Sequence, residues 1–192
     1  MRRTFLIVLA CAIAIAANAQ DTRTVTVTGF TGHPQLKNEW CWAACIQSML
    51  EARGITIGQS AIVEAAYGRD VNQPAPGFEG TVELLNRLTL NVGGEVWKVS
   101  AYARPRHPDP KWLFEELSNN DPVMIWFRAK DLDHAIVLTG GVSLVDRLGK
   151  FVGWRSLTAY DPLLNRIMPI PGINIPRYVY GTFTIRVTKL PR

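Results

Sequence analysis

The sequence predicts a single α+β domain, with a helical first half packed on an antiparallel sheet built from the second half. Two observations carry this. From Cys41 to Arg53 the apolar residues Trp42, Cys45, Ile46 and Met49 recur at the spacing of one buried helix face. After Gly93-Gly94 the character changes, and most of the remaining chain reads as short strands. The chain has 192 residues, 47% hydrophobic and 19% charged, a globular composition large enough for one core.

Taken in order, the chain opens with the basic Met1-Arg2-Arg3 and an unbroken apolar run from Phe5 to Ala17, then the small residues Ala17-Asn18-Ala19. This is the pattern of a secretory signal peptide over residues 1–19, cut before Gln20, with the folded domain spanning 20–192. The run falls short of the roughly 20 apolar residues that cross a bilayer. Val8-Leu9-Ala10-Cys11 loosely resembles a lipoprotein site, but the apolar run continues past Cys11. A soluble mature protein in the periplasm or outside the cell is expected, with no stable membrane insertion. Cleavage lowers the net charge from +5 by the two arginines it removes. The small remaining excess, with no Lys/Arg run interleaved with aromatics, argues against nucleic acid as a partner.

Thr24 to Thr28 alternates as a strand, and helices are expected at Cys41 to Arg53, Gln59 to Tyr67 and Thr81 to Leu90. Pro74-Ala75-Pro76-Gly77 separates the last two as a loop. Next come a strand at Glu95 to Ala101 and a helix at Pro110 to Leu117, opened by Asp109 and Pro110. Further strands are expected at Val123 to Arg128, His134 to Thr139, Phe151 to Tyr160 and Tyr178 to Thr188.

The chemistry concentrates in Gln35-Leu36-Lys37-Asn38-Glu39-Trp40-Cys41-Trp42-Ala43-Ala44. A cysteine in the first turn of a helix lies among unpaired N–H groups at the positive end of the helix dipole, which favours the thiolate. Gln35 can offer an amide N–H toward the cleft and, with the Cys41 backbone N–H, form an oxyanion hole. Cys45 shares the apolar stripe and reads as a packing residue; Cys41 lies off it.

A nucleophilic cysteine needs a base, and there are three histidines. His33 sits in a Gly-Pro-flanked loop and His107 between prolines, so both read as solvated, whereas His134 opens the apolar strand His-Ala-Ile-Val-Leu-Thr. A type I turn at Asp146-Arg147-Leu148-Gly149 sets His134 opposite Asp161, with Cβ atoms roughly 5 Å apart. Ile136 with Ala159 and Leu138 with Leu157 continue that face. A bulge at Gly140, Gly141 or Gly153 would shift this register. Asp131, Asp133 and His134 lack a second histidine at ligand spacing, so no metal is expected. No glycine-rich phosphate loop comes after a strand, and no cofactor is expected.

Gln, five intervening residues and then Cys-Trp-Ala resembles the active-site segment of papain-like cysteine peptidases. His-Ala-Ile-Val-Leu and Tyr-Asp-Pro resemble the histidine and aspartate segments of the compact bacterial branches, which include bacteriocin-processing peptidase domains and secreted effector proteases. The resemblance runs from Gln35 to Asp161. It implies a papain-like fold and a peptide or protein substrate. It also implies Cys41 as nucleophile, His134 as base, Asp161 as orienting residue and Gln35 as oxyanion donor. Asn38 stands where papain has a disulfide-forming cysteine, and Asp161 where papain has asparagine. Two other uses of the fold stay open: amide chemistry such as deamidation, cell-wall amidase action or transpeptidation, and a non-catalytic binding domain.

Overall fold

The computed structural model describes residues 21–129, 132–171 and 179–191. The signal peptide over 1–19, the cut before Gln20, Asp131 and the strand start at Tyr178 lie outside them. Among the described residues there are four helices and eight strands. In chain order they are β1 (Asp21–Thr26), α1 (Cys41–Glu51), α2 (Gln59–Tyr67), α3 (Gly77–Arg87), β2 (Thr89–Val92), β3 (Glu95–Pro105) and α4 (Pro110–Ser118). Strands β4 (Val123–Ala129), β5 (Leu132–Val145), β6 (Phe151–Asp161), β7 (Arg166–Pro171) and β8 (Val179–Lys189) complete the order. Among the described residues no helix is long and apolar enough to cross a membrane.

All eight strands join one antiparallel sheet, seven of them in the order β2-β3-β8-β4-β5-β6-β7 and β1 beside β5 off that path. The first half of β5 pairs with β4, and its second half takes β1 along the same edge. Side chains of successive strand residues leave opposite faces, and β4 shows this cleanly. Met124 and Trp126 enter a core with α1, α2 and α3, while Val123 and Ile125 enter a second core with Leu113 and Leu117 of α4. The expected α+β layering is therefore present, with α4 backing the far face.

Helix α1 is more deeply placed than a one-faced pattern suggests. Ala43, Ala44, Ser48 and Leu50 are buried along with the expected stripe of Trp42, Cys45, Ile46 and Met49. It lies between β5, β8 and α2. Small residues on its second face permit that close packing, and Ser48 is satisfied by donating to the Ala44 carbonyl at 2.8 Å.

Two expectations need correcting. Helix α3 begins at Gly77, not Thr81, because its buried face starts at Phe78. It ends at Arg87, because Leu88 and Leu90 leave it for the β2–β3 hairpin, whose Val92–Glu95 pair closes over Gly93-Gly94. Both glycines have positive φ, as a two-residue hairpin turn requires. Strand β7 has no counterpart among the expected elements; as an edge strand it tolerates Pro169 and Pro171 because a proline there need not donate to a second neighbour.

The hairpin that carries the site also departs from the two-residue turn expected. Gly149 N–H donates to the Asp146 carbonyl at 2.9 Å, and Asp146 N–H donates to the Lys150 carbonyl at 2.9 Å. Gly149 sits at φ 73°, so the loop is a type I turn closed by a left-handed glycine. The ladder then slips between Leu144 and Val145, between Val142 and Ser143, and between Leu138 and Gly140. Val137 ends up opposite Tyr160 and Leu138 opposite Ala159. Continuing that register puts Asp161 opposite Ile136, one diagonal step from His134, rather than opposite His134 itself. The net slip is even, so Asp161 keeps its face.

Candidate active site

Cys41 is the first residue of α1, half-buried, and its backbone N–H has no partner within the helix. Two tryptophans fix this mouth. Trp40 and Trp42 are fully buried, and their indole N–H groups donate to the carbonyls of Val71 (2.9 Å) and Gln73 (3.4 Å). Lys37 lies over the Trp40 ring at 4.2 Å and pairs with Asp70. Cys41 is thus held by buried aromatic anchors on both sides. Sequence reasoning places Trp42 on the buried stripe of α1 and gives Trp40 no role; its place next to Cys41 is the available signal.

Gln35 stands in the loop that leads into α1. Its backbone N–H donates to the Pro162 carbonyl at 3.0 Å, joining this loop to the turn after β6. Its side-chain Nε2 donates to the carbonyls of Lys37 (3.1 Å) and Asn38 (2.9 Å), while Oε1 is buried with no hydrogen-bond partner. Both amide hydrogens are therefore turned into the loop. Service as an oxyanion donor requires the amide to release one of them.

His134 is buried on β5, and its Nε2 hydrogen-bonds Asp161 Oδ1 at 2.9 Å. The Phe127 ring meets the imidazole edge to face at 5.5 Å. Asp161 Oδ1 also accepts from the backbone N–H groups of Leu163 (2.8 Å) and Leu164 (3.2 Å). With Nε2 committed to Asp161, Nδ1 is the ring nitrogen left to face Cys41, whose thiol acts on the imidazole. Burial works against a charged ring, but the hydrogen bonds and charges of Asp161 and Cys41 outweigh it and lift the His134 pKa to about 9. Burial likewise disfavours the Asp161 carboxylate, yet the hydrogen bond and charge of His134, helped by the two backbone N–H groups, hold its pKa below the usual carboxylate range.

Cys41, His134 and Asp161 therefore form one connected line. Cys45 is fully buried one turn along α1, and burial, then the charges of Cys41 and Asp161, push its thiol well up. Both cysteines are free thiols. His107 is exposed, as expected, but His33 is not simply solvated: it is half-buried, with Nε2 against Glu51 Oε2 and its backbone N–H donating to Ser48 Oγ. Among the described residues no group of three His, Cys, Asp or Glu side chains could hold a metal ion.

The fold is the papain-like one that the resemblance implied. The chain is similar in structure to the peptidase domain of Streptococcus ComA, a bifunctional ABC transporter involved in a quorum-sensing pathway. The two superpose with a TM-score of 0.54 at 14% identity, over 85% of this chain and 99% of that domain. No protein-family profile matches the sequence, and no curated protein matches it.

Proposed function

We propose that the protein is an exported cysteine peptidase that hydrolyses peptide bonds through Cys41, His134 and Asp161. The observation that carries this reading is the 2.9 Å bond from His134 to Asp161, made where the imidazole also meets a cysteine at a helix mouth. Export rests on the signal-like segment over residues 1–19.

In the reaction, Cys41 attacks the peptide carbonyl as thiolate while His134 carries the proton. The tetrahedral oxyanion lies toward the unpartnered Cys41 N–H, with Gln35 as second donor once its amide turns. The C–N bond breaks as His134 Nδ1 hands its proton to the departing amine, leaving a thioester on Cys41. His134 then takes a proton from water, whose hydroxyl attacks the thioester and releases a carboxylate. Asp161 keeps Nε2 protonated throughout and favours the charged ring.

The test is cleavage of a peptide library by the purified mature protein, beside Cys41→Ala. The variant is expected to retain the fold by circular dichroism and to lose cleavage by at least about 1000-fold. Undiminished cleavage by the folded variant would refute the assignment. Release of ammonia from glutamine side chains without backbone cleavage would transfer the same triad to deamidation.

A further inference from the structure

Gln59 opens α2 and is only 2% exposed. A buried amide is costly unless its donors and its acceptor are used, and here they are used outside α2. Nε2 donates to the Pro34 carbonyl at 2.9 Å and to Gln47 Oε1 of α1 at 2.9 Å, while Oε1 accepts from the Leu36 N–H at 2.9 Å. The Pro34 carbonyl and the Leu36 N–H stand on either side of Gln35. One side chain therefore holds both peptide groups that flank the proposed oxyanion donor.

The hydrogen bond from the Gln35 N–H to the Pro162 carbonyl, at 3.0 Å, completes the hold. The peptide unit between Pro34 and Gln35 is gripped at its C=O by Gln59 and at its N–H by Pro162. The unit between Gln35 and Leu36 is gripped at its N–H by Gln59. Peptide units are planar, so fixing both sets φ and ψ of Gln35, and with them the direction of its Cα–Cβ bond. The bond to Gln47 refers this frame to the helix that carries Cys41. What remains to move is the Gln35 amide, which donates to the Lys37 and Asn38 carbonyls and leaves Oε1 without a partner. Turning it toward a developing oxyanion then takes side-chain torsions alone, with no rearrangement of the loop. A donor whose backbone is fixed in advance loses nothing to reorganisation at the moment of reaction.

We propose that Gln59 is a positioning residue that acts through Gln35, holding the backbone of the oxyanion loop still while the Gln35 amide turns. The proposal rests on the peptidase reading above and on Gln35 as oxyanion donor, and its test separates all three. Peptide cleavage by the full mature protein builds an oxyanion. Alkylation of Cys41 by iodoacetamide does not, since the S–C bond forms at a tetrahedral carbon as iodide leaves. Gln59→Met removes all three bonds at similar length. It should lower kcat and kcat/KM alike, by roughly 10-fold, with the alkylation rate and the circular dichroism unchanged. Gln59→Glu keeps an acceptor for the Leu36 N–H and should lose less; it answers the question if Gln59→Met does not fold. In a Gln35→Ala background neither substitution should cost more than about 2-fold further. If the folded Gln59 variants cleave like the wild type, or lose as much without Gln35 as with it, Gln59 does not act through Gln35 and the proposal is wrong. A parallel fall in alkylation would place the damage at Cys41 and overturn it equally. If Gln35→Ala alone cleaves like the wild type, Gln59 has no donor to position, and the peptidase reading stands without it. If iodoacetamide labels Cys41 but the wild type cleaves no peptide, the peptidase reading fails and the proposal falls with it.

Discussion

Cys41 and His134 face each other from walls that are held in different ways. On the helical wall the named residues are local: Gln35, Trp40, Cys41 and Trp42 fall within one short segment, which buried indoles and a hydrogen bond to Pro162 anchor to the rest of the chain. On the sheet wall the two partners are 27 residues apart, and only a correctly registered hairpin brings them together. Burial fixes where the sulfur is. A hydrogen-bond network sets what the imidazole does. Damage to the first wall should show mainly as lost stability or lost nucleophile, and damage to the second as altered acid–base behaviour in an intact fold.

The largest effect that separates the walls is expected from Asp161→Asn. Losing the carboxylate removes the main charge supporting imidazolium and should lower kcat/KM by roughly 100-fold, within the range of general acid–base contributions. The loss should be smaller than in His134→Ala. Equal, complete loss in both folded variants would mean that Asp161 does more than orient the ring. Full activity in Asp161→Ala would mean that the sheet wall is not part of the machinery.

A pH profile sharpens the same point. The reactive thiolate–imidazolium arrangement needs a protonated His134, so in the wild type the alkaline limb of kcat/KM should fall near pH 9. In Asp161→Asn it should move down toward the ordinary histidine value of about 6.5. The stability counterpart has a fixed sign. A histidine whose pKa is raised on folding stabilises fully below its unfolded value, and that stabilisation is lost as pH rises through about 9. Denaturant midpoints between pH 6.5 and 9.5 should therefore decline more steeply in the wild type than in His134→Gln. Parallel slopes would show that the imidazole is not tuned by this network.

The smallest effect concerns the helical wall. Cys45→Ser places a hydroxyl in a fully buried apolar site and should cost about 1–3 kcal/mol of stability, read from denaturant midpoints, with Cys41 still reacting with thiol reagents. In the wild type the label should map to Cys41 alone. Label on Cys45 alone would reverse the two assignments.

Legibility in the sequence divides along the same line. The helical wall is legible because its signal is contiguous: an apolar period, a glycine stop and a cysteine at the first turn. The sheet wall is legible in its partners but not in its register. His134 and Asp161 do meet, yet diagonally, because the left-handed Gly149 and three slips in the ladder replace the simple turn. Such slips depend on strand twist and on β1 running along β5, neither of which leaves a periodic trace. The β2 strand is hidden because Leu88 and Leu90 prolong the helical pattern of α3, and β7 because its prolines argue for loop until it is known to be an edge. The orientation of the Gln35 amide is likewise decided by two nearby carbonyls that no spacing rule reveals.

The slipped ladder between the turn and the site also sets a rule for how this gene can change length. A residue added at the tip of the 147–149 loop only enlarges the loop. A residue added within β5 or β6, between that loop and the pair at Val137 and Tyr160, must be extruded as a bulge or it turns Asp161 away from His134. Insertions and deletions there are therefore tolerable in pairs, or singly at Gly140, Ser143 or Val145, where the ladder is already broken. A lone codon gained elsewhere in these strands would separate His134 from Asp161 while leaving every named residue in the sequence.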